Sequence, residues 1–529
     1  MKRKILFATE TDVNQGQGYF PQDIRRLYNI PSNLTGTGQT IGILEFSNGY
    51  SMNDARQFWT EHNIGIPNVF FVSVDGTQND NGRSADDEEA SLDLQWAGAV
   101  APQAKLVVYE ATAGATFATF ADALIATLKY ILNDTKFQPS VLSISYGDAE
   151  SSFDQNALVE ISDLIAQLDA KGVTVCISSG DQGAYGMHDP RGLPVRHADA
   201  PASIPAAVAV GGTSLQPDGT ETAWTYLGPQ NGGATGGGFS DVFAKPTYQQ
   251  SSQESGRGLP DVSLNADPAT GYQIIFQGQR AVVGGTSVSC PVFAGIVALL
   301  NERREQLGKG PIRNLSRLLY TNASELSYKD ITVGNNTFNG VKGFPAVTGW
   351  DACTGFGAID AAKFIEALAQ VDVQSAAPSN TESGAQAKGE PVGAMMRSQT
   401  SSMTTLPAPR SPDHPMVRVL AMIQQVEQDA DVKGVHHHHF LIRDIHVLAI
   451  RGATANDIKS YAFVAIRYGD SEGLPGPIPN LTAGQEIELQ GEYIPINDVY
   501  PSVGNPGDPV IHFTHHPDGY VIYQGKKYE

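Results

Sequence analysis

Short apolar runs alternate with amphipathic segments over about the first 370 residues. Five of these runs have the length and β-branched content of buried strands. The predicted strands are Thr40–Phe46, Ala104–Tyr109, Val141–Tyr146, Val173–Ser178 and Ala207–Gly211. Apolar residues at helical spacing predict helices over Phe120–Asn133 and Asn156–Lys171. Strands that alternate with crossover helices predict an α/β domain with a doubly wound parallel sheet over residues 1–370.

The pattern changes over residues 371–415, which are rich in Ser, Thr, Ala, Gly and Pro and predict a flexible linker. The segment 416–430 has the spacing of an amphipathic helix, and short strands parted by Gly and Pro follow it. These strands are predicted at Phe440–Leu448, Ala462–Tyr468, Glu486–Gln490, Val510–Thr514 and Tyr520–Tyr523. A helix and a small β-barrel are therefore expected over residues 416–529.

Charge and composition exclude several function classes. The chain has 529 residues, with 35 Lys and Arg against 56 Asp and Glu and a formal charge of -21, so no nucleic-acid partner is expected for the first domain. No run of 18 apolar residues is present, which predicts no membrane-spanning helix and no membrane partner. Three cysteines, Cys176, Cys290 and Cys353, allow at most one disulfide.

The segment GGTSVSCPVFAG, residues 284–295, presents Ser287 before a predicted apolar helix over 291–301, which makes it a candidate nucleophile. A serine needs a base to take its proton. Only three of the 12 histidines, His62, His188 and His197, lie in the first 400 residues, and none is followed by Gly-Thr, a setting that would mark a catalytic base. Either Ser287 is not catalytic or its base is not a histidine.

Carboxylates are the alternative base. Residues 86–93 carry five of them, and Glu89 and Asp93 stand four residues apart, on one face if the segment is helical. A solvated acidic turn is the commoner origin of such a cluster, but this one leads directly into an apolar segment. Asp181 follows a predicted strand at the edge where sites assemble, although taken alone it is an ordinary turn residue.

Taken together, Glu89-x-x-x-Asp93, Ser-Gly-Asp181 and Gly-Thr-Ser287-x-Ser-x-Pro resemble the sedolisins, or serine-carboxyl peptidases, of the kumamolisin type. The resemblance covers about residues 18–368 and includes the segments 20–31, 236–240 and 349–357. It implies a subtilisin-like fold and an endopeptidase that acts on protein or peptide substrates.

By this resemblance Ser287 is the nucleophile, Glu89 accepts its proton, Asp93 orients Glu89, and Asp181 faces the oxyanion. Asp181 donates a hydrogen bond only when protonated, whereas Glu89 must be able to accept a proton, so the environment has to separate their pKa values. With reference pKa values near 4, the expected working range is on the order of pH 3 to 5. The resemblance extends the network to Glu45, and it places Tyr146 where a tryptophan is expected.

The resemblance also implies a Ca²⁺ site. Asp330 and Asp351 would bind by side chain, and Ile331, Val347 and Gly349 by backbone carbonyl, with Val347 in place of a familiar glycine. Hard oxygen ligands of this kind suit Ca²⁺. Its expected role is to hold the loops near the end of the peptidase domain in place.

Members of the family are normally made with an N-terminal propeptide and exported, so the resemblance implies an extracellular location. The peptidase-like sequence begins within about 20 residues of Met1, which leaves open whether a propeptide was removed or never existed.

Nine of the 12 histidines lie from His414 onward, four of them consecutive at 436–439. Neighbouring strand residues point to opposite faces, so all four cannot bind one metal ion, and a metal site is the less favoured interpretation. Segments at 491–493, 510–516 and 523–528 resemble a small bacterial domain of unknown function with an OB-like barrel, whose ligand is unknown.

Two alternatives stay open. One is an inactive peptidase-like protein whose barrel is a binding module. The other is a subtilisin-like enzyme that uses His62, His188 or His197 as its base.

Overall fold

The computed structural model divides into two compact units, residues 1–382 and 383–529. In the first unit it describes residues 6–7, 18–46, 49–113, 119–185, 196–226, 232–250 and 252–372. In the second it describes residues 414–427, 429–432, 435–453, 457–469, 474, 476–495, 505, 508–512, 514, 519–523 and 526–528. Apart from its ends, the predicted linker 371–415 lies outside the described residues.

An eight-stranded sheet forms the centre of the first unit. Its strands are β1 (Thr40–Glu45), β2 (Asn68–Ser73), β3 (Lys105–Glu110), β4 (Val141–Ile144), β5 (Thr174–Ser178), β6 (Val208–Leu215), β7 (Glu221–Ala223) and β8 (Val262–Asn265). The order is β7-β6-β5-β4-β1-β3-β2, with β8 paired to β6. All pairs are parallel except β6 with β7. The predicted parallel α/β sheet is therefore confirmed.

Helices cover both faces of this sheet. They are α1 (Pro21–Leu27), α2 (Met52–Glu61), α3 (Glu88–Val100), α4 (Phe120–Asn133), α5 (Gln155–Ala170), α6 (Thr286–Gln306), α7 (Leu315–Thr321) and α8 (Ala361–Gln370). Buried residues of α3 and α6 pack in one hydrophobic core, and those of α4 and α5 pack in a second. Among the helices that the structure describes, none has the length and apolar character needed to cross a bilayer.

Alternation along the strands assigns side chains to these two cores. On β1, Ile41 and Ile43 belong to the core of α3 and α6, whereas Leu44 belongs to the core of α4 and α5. On β3, Leu106 and Val108 belong to the first core. Strands buried on both faces are continuously apolar, which is why the sequence pattern predicted them well.

Short strands complete the first unit. They are Leu6–Phe7, Asp148–Ala149, Asp199–Ala200, Thr225–Tyr226, Gly233–Ala234, Gly238–Ala244, Gly256–Leu259, Tyr272–Phe276, Gln279–Gly284, Tyr328–Lys329 and Ala358–Ile359.

The second unit is a closed five-stranded barrel. Its strands are β9 (Met416–Val426), β10 (Val435–Arg451), β11 (Tyr461–Tyr468), β12 (Glu486–Ile494) and β13 (Val510–His512). The pairing runs β9-β10-β11-β13-β12 and returns to β9, with β11 and β13 parallel and the other pairs antiparallel. This closure agrees with the predicted OB-like barrel. Strands Ala430–Val432, Tyr520–Tyr523 and Lys526–Tyr528 pair outside the closed ring.

The helix predicted over 416–430 is wrong, because residues 416–426 form strand β9. Val417, Val419, Ala421 and Ile423 alternate into the barrel core, which is the period of a strand. The same segment has apolar residues at helical spacing, so its own pattern was ambiguous. Pairing with β10 and β12 on either side decides in favour of the strand.

Candidate active site

Ser287 lies in the first turn of α6, which begins at Thr286 and not at residue 291 as expected. Gly285, the residue before the helix, has a φ of +113°, and a Cβ there would lie 2.8 Å from Asp181 Oδ2. Only glycine adopts this backbone without strain and allows the aspartate so close. The Gly-Thr-Ser motif therefore places a buried serine at a helix N-terminus beside Asp181.

Pro291 lies inside α6, one turn after the serine. Proline has no N–H, so the carbonyl of Ser287 cannot receive the usual helical hydrogen bond from residue 291. The hydroxyl of Ser145, just beyond the end of β4, lies 3.1 Å from that carbonyl oxygen and can donate to it. In return, Ser287 Oγ lies 3.5 Å from the carbonyl oxygen of Ser145. The serine is thus attached to the end of the central sheet.

The same Ser145 hydroxyl connects Ser287 to α3. It lies 2.9 Å from both carboxylate oxygens of Asp93. Glu89 precedes Asp93 by one turn on α3, as the spacing predicted, and both side chains are buried. The structure therefore brings α3 and the start of α6 together, with Asp93 joined to the backbone of Ser287 through one hydroxyl.

Asp181 is oriented by the N-terminus of α6. Its Oδ1 accepts hydrogen bonds from the backbone N–H and the hydroxyl of Thr286, both at 2.8 Å. The Thr286 hydroxyl also lies 3.1 Å from the Gly180 carbonyl oxygen. With Oδ1 held in this way, Oδ2 lies on the side of Gly285, two residues before the serine in sequence.

Glu45 is also part of this region. It is fully buried at the end of β1, and its Oε2 accepts a hydrogen bond of 2.9 Å from the Tyr146 hydroxyl. Burial, and then the charges of Asp93, Glu110 and Glu89, raise the pKa of Glu45 well above its usual range. The tyrosine therefore supplies the polar contact that the resemblance assigns to a tryptophan.

Three further polar residues of this region were not predicted from the sequence: Ser145, Glu88 and Glu110. Glu110 is fully buried at the end of β3, in register with Glu45. Burial, and then the charge of Glu89, raise the pKa of Glu88 to about 8. We call Glu45, Glu89, Asp93 and Glu110 the carboxyl network. For Glu110 and Ser145 the available signal was a polar residue at the carboxyl end of an apolar strand or just beyond it, where α/β sheets place their sites.

The histidines considered as bases have other surroundings. The ring of His62, at the end of α2, packs 4.8 Å from Phe58 and 5.2 Å from Phe20, measured between ring centroids. His197 is buried, and its backbone N–H donates to Ala184. His188 lies outside the described residues.

The residues expected to bind Ca²⁺ lie around one turn. Asp330 Oδ2 accepts a hydrogen bond of 2.9 Å from the Gly349 N–H, and Asp351 Oδ2 accepts one of 2.8 Å from the Val347 N–H. Ile331 is buried and follows Asp330. In the part of the chain that the structure describes, no three His, Cys, Asp or Glu side chains form a metal-binding group. Two aspartates with backbone carbonyls fit a cation that prefers oxygen ligands, so these residues can hold Ca²⁺.

The consecutive histidines of the barrel separate onto two faces, as predicted. The rings of His436 and His438 both pack against Tyr468, whereas His437 lies 6.0 Å from His512 between ring centroids. His438 Nε2 accepts a hydrogen bond from the Ile478 N–H, and its Nδ1 lies 2.8 Å from a carboxylate oxygen of Asp429.

Comparison with known proteins identifies a family and several relatives. The model of the Subtilase family matches residues 76–357. Kumamolisin of Bacillus sp. (strain MN-32) is 38% identical over 335 residues, which cover 60% of this chain and 57% of kumamolisin. Sedolisin of Pseudomonas sp. (strain 101) is 31% identical over 369 residues, which cover 66% of this chain and 60% of sedolisin.

Among solved structures, Pseudomonas sedolisin, a serine-carboxyl proteinase complexed with two molecules of pseudo-iodotyrostatin, matches with a TM-score of 0.59 and 29% identity. The match covers 67% of this chain and 98% of that one. The chain spans about three fifths of the length of the curated relatives that it matches.

Proposed function

Because this chain belongs to the subtilase family, and within it resembles kumamolisin and sedolisin, we propose that it is an acid-acting serine-carboxyl endopeptidase of protein or peptide substrates. One observation carries the proposal: the Ser145 hydroxyl contacts both the Asp93 carboxylate and the backbone of Ser287. Helix α3, which carries both Glu89 and Asp93, is thereby held beside a serine at a helix N-terminus, and a base on α3 requires that proximity.

In the proposed acylation, Ser287 Oγ attacks the carbonyl carbon of the peptide bond while Glu89 takes its proton. Asp93 orients Glu89. The tetrahedral intermediate carries its negative charge on the former carbonyl oxygen, which Asp181 and the N-terminus of α6 stabilise. Asp181 does this as a protonated donor, since a carboxylate could only repel an oxyanion.

In the proposed second half, Glu89 returns its proton to the leaving amine as the C–N bond breaks. Water then attacks the acyl-enzyme with Glu89 again as base, which releases the acid product and restores Ser287. Activity requires Glu89 to be ionised and Asp181 protonated. Carboxyl groups exchange their protons in acid solution, so the working range of such a pair is expected on the order of pH 3 to 5.

We also propose a calcium site, a cellular location and domain bounds. Asp330 and Asp351, with the carbonyls of Ile331, Val347 and Gly349, would hold Ca²⁺ as a structural ion near the end of the peptidase unit. An extracellular location follows by analogy with the family. The domains would be the peptidase at 1–370, a linker at 371–415 and the barrel at 416–529.

The test is cleavage of an unfolded protein substrate by the full chain between about pH 3 and 8, a range that brackets the carboxylate and imidazole reference values. Wild type is compared with Ser287→Ala, Glu89→Gln and His62→Ala. We expect activity confined to acid and lost in the first two variants only. Loss in His62→Ala with a neutral optimum would indicate a histidine base. Inactivity of a folded wild type at every pH, with Ca²⁺ present, would favour an inactive peptidase-like protein.

A further inference from the structure

Glu45 and Glu110 end two neighbouring parallel strands at the same level. They are register partners of β1 and β3, and both are fully buried. Glu45 continues the side of β1 on which Ile41 and Ile43 lie, and Glu110 continues the side of β3 on which Leu106 and Val108 lie. That side packs against α3 and α6. Because adjacent strands are about 5 Å apart, the two carboxyl groups leave the sheet side by side toward α3.

Two carboxylates in such positions cannot both ionise at low cost, because each charge opposes the other and burial opposes both. The hydrogen bonding of Glu45 also indicates that this carboxyl group is not ionised. Its Oε2 accepts from Tyr146, while its buried Oε1 has no hydrogen-bond partner among the residues that the structure describes. A buried carboxyl oxygen in this situation is better accommodated as a protonated group than as an anion.

We propose that Glu110 is a positioning residue of the active site: it holds one proton jointly with Glu45, and this carboxyl pair keeps Glu45 in place beside α3. The inference rests on, and deepens, the proposed peptidase function, because it concerns the same site. Glu110 acts through Glu45 and not on the substrate.

The titratable groups that face the pair come from three elements. They are Glu89 and Asp93 on α3, Tyr146 beyond β4, and Tyr50 in the segment that follows β1. The carboxylates add to the negative charge around the pair, so they favour retention of its proton. The two tyrosines are neutral in the relevant range, and burial followed by the charge of Glu110 raises the pKa of Tyr50 to about 12.

Because the pKa of Glu45 differs between the folded and the unfolded chain, the stability of the fold depends on pH. The folded chain keeps protons on the pair at pH values at which glutamates of the unfolded chain have lost them. Folding is therefore favoured in acid, and the contribution is lost as the pH rises from the unfolded value of about 4.3 through the raised folded pKa of Glu45. Replacement of Glu110 by glutamine removes one of the two charges that would otherwise form.

The first arm of the test measures thermal unfolding of the full chain from pH 4 to 8 in a Ser287→Ala background, which prevents self-cleavage. We expect the unfolding temperature of the parent to fall as the pH rises above the unfolded value of about 4.3, and that of Glu110→Gln to fall by several degrees less. Asp169→Asn is the matched control, because burial raises the pKa of Asp169, in the last turn of α5, to about 6. Its effect is complete near pH 7, so it should parallel the parent above that pH.

The second arm measures kcat and KM at pH 4. Glutamine mimics a protonated carboxyl, so Glu110→Gln should keep kcat within about threefold of wild type, whereas Glu110→Ala should lower kcat at least tenfold with KM unchanged. Glu110→Gln should also retain activity longer during incubation at pH 8.

Parallel unfolding curves for Glu110→Gln and the parent over the whole range from pH 4 to 8 would overturn the proposal, as would wild-type kinetics in Glu110→Ala. If Glu110→Ala does not fold, Glu110→Gln still decides through its unfolding curve. The unfolding arm needs no catalysis, so an inactive wild type would refute the peptidase function and leave this inference to be judged separately.

Discussion

Among the places in the first unit that bury acidic side chains completely, two treat the charge in opposite ways. At the first, Asp261 lies 2.7 Å from the Arg257 guanidinium. It also accepts hydrogen bonds from the Ala209 N–H at 2.7 Å and the Tyr320 hydroxyl at 2.6 Å. Burial is the largest single influence on the pKa of Arg257 and lowers it, but Asp261, by its charge and its hydrogen bond, and the nearby Tyr320 and Tyr248 together raise this pKa. This acid is paired and its role is structural.

At the second place, the carboxyl network, Glu45 receives one hydroxyl donor from Tyr146 and otherwise experiences like charges from its neighbours. Burial is the same in both places, so burial does not identify an active site. The sign of the surrounding charge distinguishes the two places, because a carboxyl surrounded by carboxyls has a pKa moved toward the range in which it can exchange protons.

The largest contrast should come from removal of one charge at each place, measured in Ser287→Ala chains. Asp261→Asn leaves the Arg257 charge buried without its counterion, so the free energy of unfolding at pH 5 should fall by about 3–5 kcal/mol. Glu45→Gln makes the same chemical change where no ion pair is lost and should cost less than about 1 kcal/mol. Urea unfolding measures the two losses in free energy of unfolding, and equal losses would show that the paired acid and the carboxyl network do not differ in this way.

The second prediction concerns Glu88, next to the carboxyl network on α3. Its folded pKa is about 8 against an ordinary value of 4.5, so its contribution to folding is complete below pH 4.5 and is lost as the pH rises to 8. The wild-type chain should therefore lose on the order of a few kcal/mol of its free energy of unfolding between these two pH values, and Glu88→Gln should not show this loss. The free energy of unfolding at pH 4.5 and at pH 8 checks this; an unchanged difference would contradict it.

A third, smaller effect is expected from Tyr146→Phe. The variant removes the hydroxyl that donates to Glu45 Oε2, which should cost about 1–3 kcal/mol of stability at pH 5 and lower kcat. Tyr146→Trp supplies an N–H donor in the aromatic position that the family resemblance predicts. It should recover more activity than the phenylalanine variant, and equal kcat values for the two would show that the hydrogen bond is dispensable.

The smallest effect should come from Ser145→Ala. The variant removes the hydroxyl shared by Asp93 and the Ser287 carbonyl, so kcat should fall about three- to tenfold, on the order of 1 kcal/mol, with little change in KM. Ser143→Ala is the matched control on the same strand, because its hydroxyl contacts Cys290 at 3.4 Å instead. Similar kcat values for the two variants would assign Ser145 to packing.

Much of the peptidase unit could be predicted because local pattern and tertiary environment agree there. Strands β1 and β3 are buried on both faces and read as apolar runs, and the spacing of Glu89 and Asp93 is a helix repeat. Glu110 could not be found in this way. Its role depends on pairing with Glu45 across two strands separated by more than 60 positions in sequence, and no local motif records that register.

The barrel illustrates the opposite case. Residues 416–426 have apolar residues at both helical and strand spacing, so the sequence of the segment alone cannot choose. The choice is made by two partner strands that lie later in the chain. Where the sequence failed, the missing information was non-local pairing and not the chemistry of the residues.

The proline inside α6 has a consequence for engineering. Because residue 291 cannot bond to the Ser287 carbonyl, the first turn of the helix is attached to the Ser145 hydroxyl beyond β4 as well as to its own backbone. The direction of the serine is therefore a joint property of a helix and a strand that are far apart in sequence. Transplanting the helix alone into another scaffold would transfer Ser287 without its orientation, so a graft that preserves this orientation has to include the end of β4.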